Sequence, residues 1–208
     1  MSKLFFFGDS ITAGALDGEF GGWVNRVITK IIKEEFEREI GARAFYCNSY
    51  NLGVHGDFVK DVVKRLPNEI EARSKPEDEI QIVFAAGVKD TLISDEFEFS
   101  NNLKIMISKA LEFTKNISFI GLFPVDEART KNPYKNDKIK SFNNAVRNTC
   151  EEYEIPFCSL FEKAIARGDY KAMLHDGLHP NGEGHRFIYE IVAPFIINDE
   201  FYNFHSMK

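Results

Sequence analysis

KLFFFGDSITAG, residues 3–14, is an apolar run that halts at Gly8 and at once presents Asp9, Ser10 and Thr12. Unbroken apolar residues from Leu4 to Phe7 suit a strand covered on both faces rather than one with a wet side. Alternation sends Phe5 and Phe7 to one face and Phe6 to the other, so all three read as core and not as an aromatic binding surface. A buried strand that stops on glycine and a small polar cluster holds one side chain rigidly at the edge of a sheet, where a ligand reaches it. Ser10 is therefore the first candidate for chemistry. The tripeptide alone is weak evidence, because Gly-Asp-Ser also occurs in ordinary turns where Asp and Ser bond the local backbone.

Moving outward, apolar residues spaced by threes and fours from Gly22 to Glu39 predict an amphipathic helix ended by Gly41. RAFYCNSYNLG (43–53) predicts a second strand, and Asp57 is placed to cap a helix through about Arg73. EIQIVFAAG (79–87) predicts a third strand, followed by a helix over about Ser100 to Lys115. NISFIGLFP (116–124) predicts a fourth, followed by a helix over about Asn136 to Tyr153. IPFCSL (155–160) predicts a short fifth, and a last helix runs from about Gly182 to Ile197. Continuous apolar strands alternating with helices imply an α/β fold with a parallel sheet covered on both faces. VDEARTKNPYKND (125–137), the longest irregular stretch, follows the fourth strand, where loops rim the ligand crevice of such sheets; it reads equally as a lid or as a solvated loop.

The chain has 208 residues, 44% hydrophobic and 28% charged, and shows no linker or repeat, so residues 1–208 are expected to form one domain. A net charge of −6 without a dominant Lys/Arg cluster argues against a nucleic-acid partner. Cys47, Cys150 and Cys158, odd in number and lacking C-x-x-C spacing, read as buried thiols in a reducing compartment. The apolar run at the N-terminus is shorter than a signal-peptide core and no segment is long enough to span a membrane, so a cytoplasmic location without stable membrane insertion is expected.

Glycine-bearing loops follow the first three strands: Gly8-Asp9-Ser10, Gly53-Val54-His55-Gly56 and Gly87-Val88-Lys89-Asp90. Parallel strands deliver their C-termini to one edge, so the three loops share a site. HDGLHPNGEGH (175–185) supplies a base just before the last helix. Asp176 and His179, three apart, allow a carboxylate to hold one imidazole nitrogen while the other faces Ser10, stabilising the imidazolium formed when the serine loses its proton. A metal held by His175, Asp176 and His179 would lack a further ligand and leave the serine loop unexplained, so neither a metal nor another cofactor is expected.

In that order and spacing, GDSIT, the glycine loop after the second strand, Gly-x-x-Asp after the third and Asp-x-x-His-Pro near the C-terminus resemble the GDSL, or SGNH, hydrolase family over the whole chain. GGWVNR (21–26) is similar to the stretch that often follows the serine in these enzymes. The resemblance implies a three-layer α/β/α flavodoxin-like fold with a five-stranded parallel sheet in the order 2-1-3-4-5. It implies a serine hydrolase that cleaves small carboxylic esters or thioesters through an acyl-serine. Ser10 would be the nucleophile, His179 the general base and acid, and Asp176 its orienting partner. The oxyanion hole would comprise the N–H groups of Ser10 and Gly56 and a side chain at position 89, while Asp9, His55 and Asp90 would contact substrate. The chain departs from the family at that third element, with Lys89 where the pattern has asparagine. A charged donor on a long stem replaces a short neutral one. That departure leaves two alternatives beside the hydrolase: a ligand-binding protein of low turnover, and a serine acyltransferase.

Overall fold

The computed structural model describes residues 1–38 and 45–205. A parallel sheet of five strands has the order β2-β1-β3-β4-β5, the order implied by the resemblance. The strands are β1 (Ser2–Gly8), β2 (Cys47–Gly53), β3 (Glu79–Ala85), β4 (Ile117–Ile120) and β5 (Phe157–Cys158). The helices are α1 (Ser10–Ala13), α2 (Trp23–Arg38), α3 (Val59–Glu71), α4 (Glu96–Leu111), α5 (Asn136–Glu152), α6 (Phe161–Arg167), α7 (Gly182–Ile196) and α8 (Asp199–His205).

Alternation along β1 divides the core as the sequence predicts. Phe5 and Phe7 pack with Val62 and Leu66 of α3, Leu103 of α4 and Phe142 of α5. Leu4 and Phe6 pack with Trp23 and Val27 of α2 and Ile188 and Val192 of α7. Each of these phenylalanines is fully buried, worth about 1.5–3 kcal/mol of hydrophobic stabilisation. The central register pairs Gly8 with Gly53 on one side and with Ala85 on the other, so three strand ends align at one edge. No described helix is long and apolar enough to cross a membrane.

Several boundaries differ from the sequence reading. The expected end of α2 at Glu39 to Gly41 and the start of the second strand at Arg43 and Ala44 fall outside the described residues. Asp57 does not cap α3, because its carboxylate is bound by Arg65 at 2.8 Å; Asp61 instead reaches back to the Phe58 N–H at 3.1 Å. α4 begins at Glu96 because Asp95 accepts the Glu98 N–H at 2.8 Å, an N-cap signal the sequence reading passed over. His205 is buried in α8, where its ring binds Gln81 at 2.8 Å and the Ser2 hydroxyl. All three cysteines are buried and free, and burial pushes the thiols of Cys47 and Cys150 up to about 12.

Candidate active site

Ser10 opens α1 directly after β1, and Asp9 caps that short helix by accepting the Ile11 N–H at 2.9 Å. Gly8 is required because the strand end meets the next turn: a Cβ there would lie 2.1 Å from Thr12 Oγ1 and 2.2 Å from the Ala85 carbonyl. Thr12 Oγ1 uses that closeness, donating to the Ala85 carbonyl at 2.8 Å and tying the serine turn to β3. The turn is thus held from the neighbouring strand as well as from its own.

The segment before α7 brings the partner groups. Ser10 Oγ lies 3.0 Å from His179 Nε2, and His179 Nδ1 lies 2.8 Å from Asp176 Oδ2. The other Asp176 oxygen accepts the N–H groups of Leu178 at 3.0 Å and His179 at 2.8 Å. Partial burial raises the Asp176 carboxyl, but these donors and the imidazole outweigh it and hold it at about 2. One oxygen of Asp176 and both nitrogens of His179 are therefore engaged within the trio, while the other oxygen takes backbone N–H groups of the turn, an arrangement that suits proton transfer. An ionised Asp176 fixes the tautomer in which Nδ1–H donates and Nε2 accepts from the serine hydroxyl.

The base-bearing turn is fastened from outside. The Asp126 N–H donates to the Gly177 carbonyl at 2.8 Å, and Arg129 Nη1 donates to the Leu174 carbonyl at 3.2 Å. The loop of residues 125–137 is thus bound to the segment that carries His179, and its Tyr134 lines the cleft at Ser10. Tyr134 escaped the sequence reading, which met Arg129 only as one of the mixed charges of the loop after β4. GGWVNR has a structural account as well. The Trp23 N–H donates to His185 Nδ1 at 3.3 Å, so His185 Nε2–H donates to the Ala15 carbonyl at 3.1 Å. One buried neutral imidazole joins α2, α7 and the loop after the serine helix, and burial depresses its pKa.

The cleft has a volume of about 350 Å³ and is lined by Ser10, His55, Gly56, Lys89, Tyr134 and His179, with Asp9 and Asp57 among the remaining groups. Gly56 has φ +83°, a conformation open to glycine at little cost. Among the described residues, neither the Ser10 N–H nor the Gly56 N–H donates to a protein acceptor. Asp90, expected at the substrate, is not brought into the cleft. It is 1% exposed and accepts the Val59 N–H at the start of α3 at 3.1 and 3.3 Å. Burial raises its carboxyl to about 7 and that of Asp9 to about 6. Lys89 neither pairs with Asp90 nor stands free: its ammonium donates to the Gly56 carbonyl and lies 4.2 Å from the centre of the Phe58 ring.

A serine, histidine and aspartate meeting on this topology agree with the comparison by family, in which the GDSL-like lipase/acylhydrolase family matches residues 6–187. The chain belongs to that family. Among solved structures, the GDSL fold is shared with a lipase/acylhydrolase from Enterococcus faecalis, at 23% identity, 94% of this chain and 95% of the other, and a TM-score of 0.73. A member of the lipolytic G-D-S-L family from Veillonella parvula aligns at 18% identity over 95% and 98% of the two chains, with a TM-score of 0.74. Axe2, an acetylxylan esterase from Geobacillus stearothermophilus, aligns at 19% identity over 95% and 94%, with a TM-score of 0.72. At these identities the likeness is one of fold. No curated protein matches the chain.

Proposed function

We propose that this GDSL-family chain is a serine hydrolase that cleaves carboxylic esters or thioesters through an acyl-Ser10 intermediate. The observation that carries the reading is the continuous relay from Ser10 Oγ to His179 Nε2 at 3.0 Å and from His179 Nδ1 to Asp176 at 2.8 Å, at the mouth of a cleft. Ser10 Oγ attacks the carbonyl carbon as its proton passes to His179 Nε2, and Asp176 stabilises the imidazolium. The carbonyl oxygen, now an oxyanion, takes the N–H groups of Ser10 and Gly56, which have no protein acceptor among the described residues. Each such donor is worth ~10²–10³ in turnover. His179 then returns the proton to the departing alkoxide or thiolate. Water, deprotonated by the same nitrogen, attacks the acyl-enzyme, and the proton goes back to Ser10 Oγ as the acid leaves.

The alignment of Gly8, Gly53 and Ala85 supports this assembly, since it puts the turns bearing Ser10 and Gly56 side by side. The cleft volume of about 350 Å³ suits short acyl groups, being at the small end of the ~300–1,000 Å³ common for ligand sites. A fluorophosphonate should label Ser10, found by mass spectrometry of the peptide, and p-nitrophenyl acetate should turn over. Turnover retained by a pure Ser10→Ala protein would refute the reading. Labelling without turnover would make the chain a binding protein.

A further inference from the structure

Lys89 is the point at which the chain leaves its family's pattern, and its surroundings assign the lysine a use. The partners of its ammonium among the described residues are the Gly56 carbonyl and the face of Phe58. A carbonyl dipole and a ring quadrupole hold a cation without cancelling its charge. The nearby carboxylates are committed elsewhere. Asp57 is paired with Arg65 at 2.8 Å, Asp61 with Lys64 at 3.2 Å, and Asp90 faces the Val59 N–H. Asp9, also at the cleft, is buried and turned to the Ile11 N–H. The ammonium thus brings an uncancelled positive charge to the cleft that holds Ser10 and His179.

The small size of the cleft makes that charge matter. A space of about 350 Å³ is roughly 9 Å across if spherical, comparable with the ~8 Å over which physiological salt screens charges. A charged group held near the middle of the cleft, beside the scissile carbonyl, is within reach of Lys89. Resting on the esterase reading above, we propose that the site selects esters or thioesters bearing an anionic group, a carboxylate or phosphate, close to the scissile carbonyl, with Lys89 as countercharge. The lysine keeps the Gly56 peptide in place through its carbonyl with one of its three donors and reads the charge of the substrate with the other two.

The test compares kcat/KM for charged and neutral esters in two arms that separate the sources of the anion. In the acyl arm, p-nitrophenyl hemisuccinate is set against p-nitrophenyl butyrate; in the leaving-group arm, 4-acetoxybenzoate is set against its methyl ester. In at least one arm, Lys89→Gln should lower the ratio of anionic to neutral kcat/KM about tenfold or more, a change of ~1.4 kcal/mol in selectivity. Lys89→Arg, which keeps the charge, should retain the ratio, and ~0.5 M salt should compress it in the wild type. A ratio that Lys89→Gln leaves within about twofold in both arms overturns the proposal. Equal losses on charged and neutral esters would also overturn it and make Lys89 an oxyanion donor instead. Ser10→Ala, run beside these, keeps the two readings apart. If it still turns over both esters the hydrolase reading fails, whereas an inactive Ser10→Ala with an unmoved ratio sinks only the charge selection.

Discussion

Asp90→Asn should make the protein progressively more stable, relative to wild type, as the pH rises. Asp90 is 1% exposed, and burial lifts its carboxyl from 3.8 to about 7, with the charges of Asp9 and Asp61 adding to the effect. The folded chain therefore holds this proton more tightly than the unfolded chain, and stability is lost as pH rises from the unfolded value through the folded one. Integrated from about pH 5 to about pH 8, that proton accounts for about 2–3 kcal/mol lost by the wild type. Asparagine cannot ionise, yet its side-chain oxygen can still accept the Val59 N–H. The stability difference between the two proteins should swing toward the variant by that amount, whatever fixed cost the substitution carries at both pH values. Asp9, raised to about 6, titrates in the same window and is relieved when its neighbour is neutral, which enlarges the swing. Urea unfolding followed by far-UV circular dichroism measures it directly, and heating should show about 4–12 °C in Tm for a chain of this size. Parallel stability profiles for the two proteins, with a swing under ~0.5 kcal/mol, would refute a protonated Asp90.

Ser10→Ala and His179→Ala should each lower turnover of p-nitrophenyl acetate about 10³-fold or more, and the double variant should be hardly worse, because groups acting as one unit are not additive. Arg129→Ala should lower kcat about tenfold while KM changes little, since it frees the turn that carries His179 without removing a cleft group; a change confined to KM would contradict that role. His205→Asn should flatten the acid side of the stability profile: burial depresses His205 to about 4, so wild-type stability falls as pH drops below the unfolded value near 6.5. Urea unfolding at a series of acid pH values checks this, and an unaltered slope would count against it.

The parallel sheet and both core faces were legible because Leu4 to Phe7 and Ile82 to Phe84 are unbroken apolar runs that alternate with helical segments, whereas the strand order came from the family resemblance. The trio of Ser10, Asp176 and His179 was legible because two compact motifs carry it. Asp90 was misplaced because sequence spacing gives the strand end but not the direction in which a side chain leaves it; the α3 N-terminus competes for that carboxylate and takes it. Lys89 was read as a charged replacement for the oxyanion-hole asparagine. Its actual partners, a carbonyl and a ring, depend on Gly56 and Phe58, which belong to a different loop. Short α6 and α8 offered too few turns for periodicity to mark them, and Arg129 acts through carbonyls 42 to 46 residues away.

The bonds from Asp126 and Arg129 to the turn around Gly177 have a consequence for how the enzyme admits its substrate. A rim joined in this way does not swing aside from the turn that carries His179 without breaking those bonds. If residues 125–134 lift to widen the entrance, they draw the imidazole away from the serine, so the open form is also the disarmed form. On the proposed reading, entry and competence are coupled through these bonds, and an acyl group too large to let the rim settle would be held without being cut.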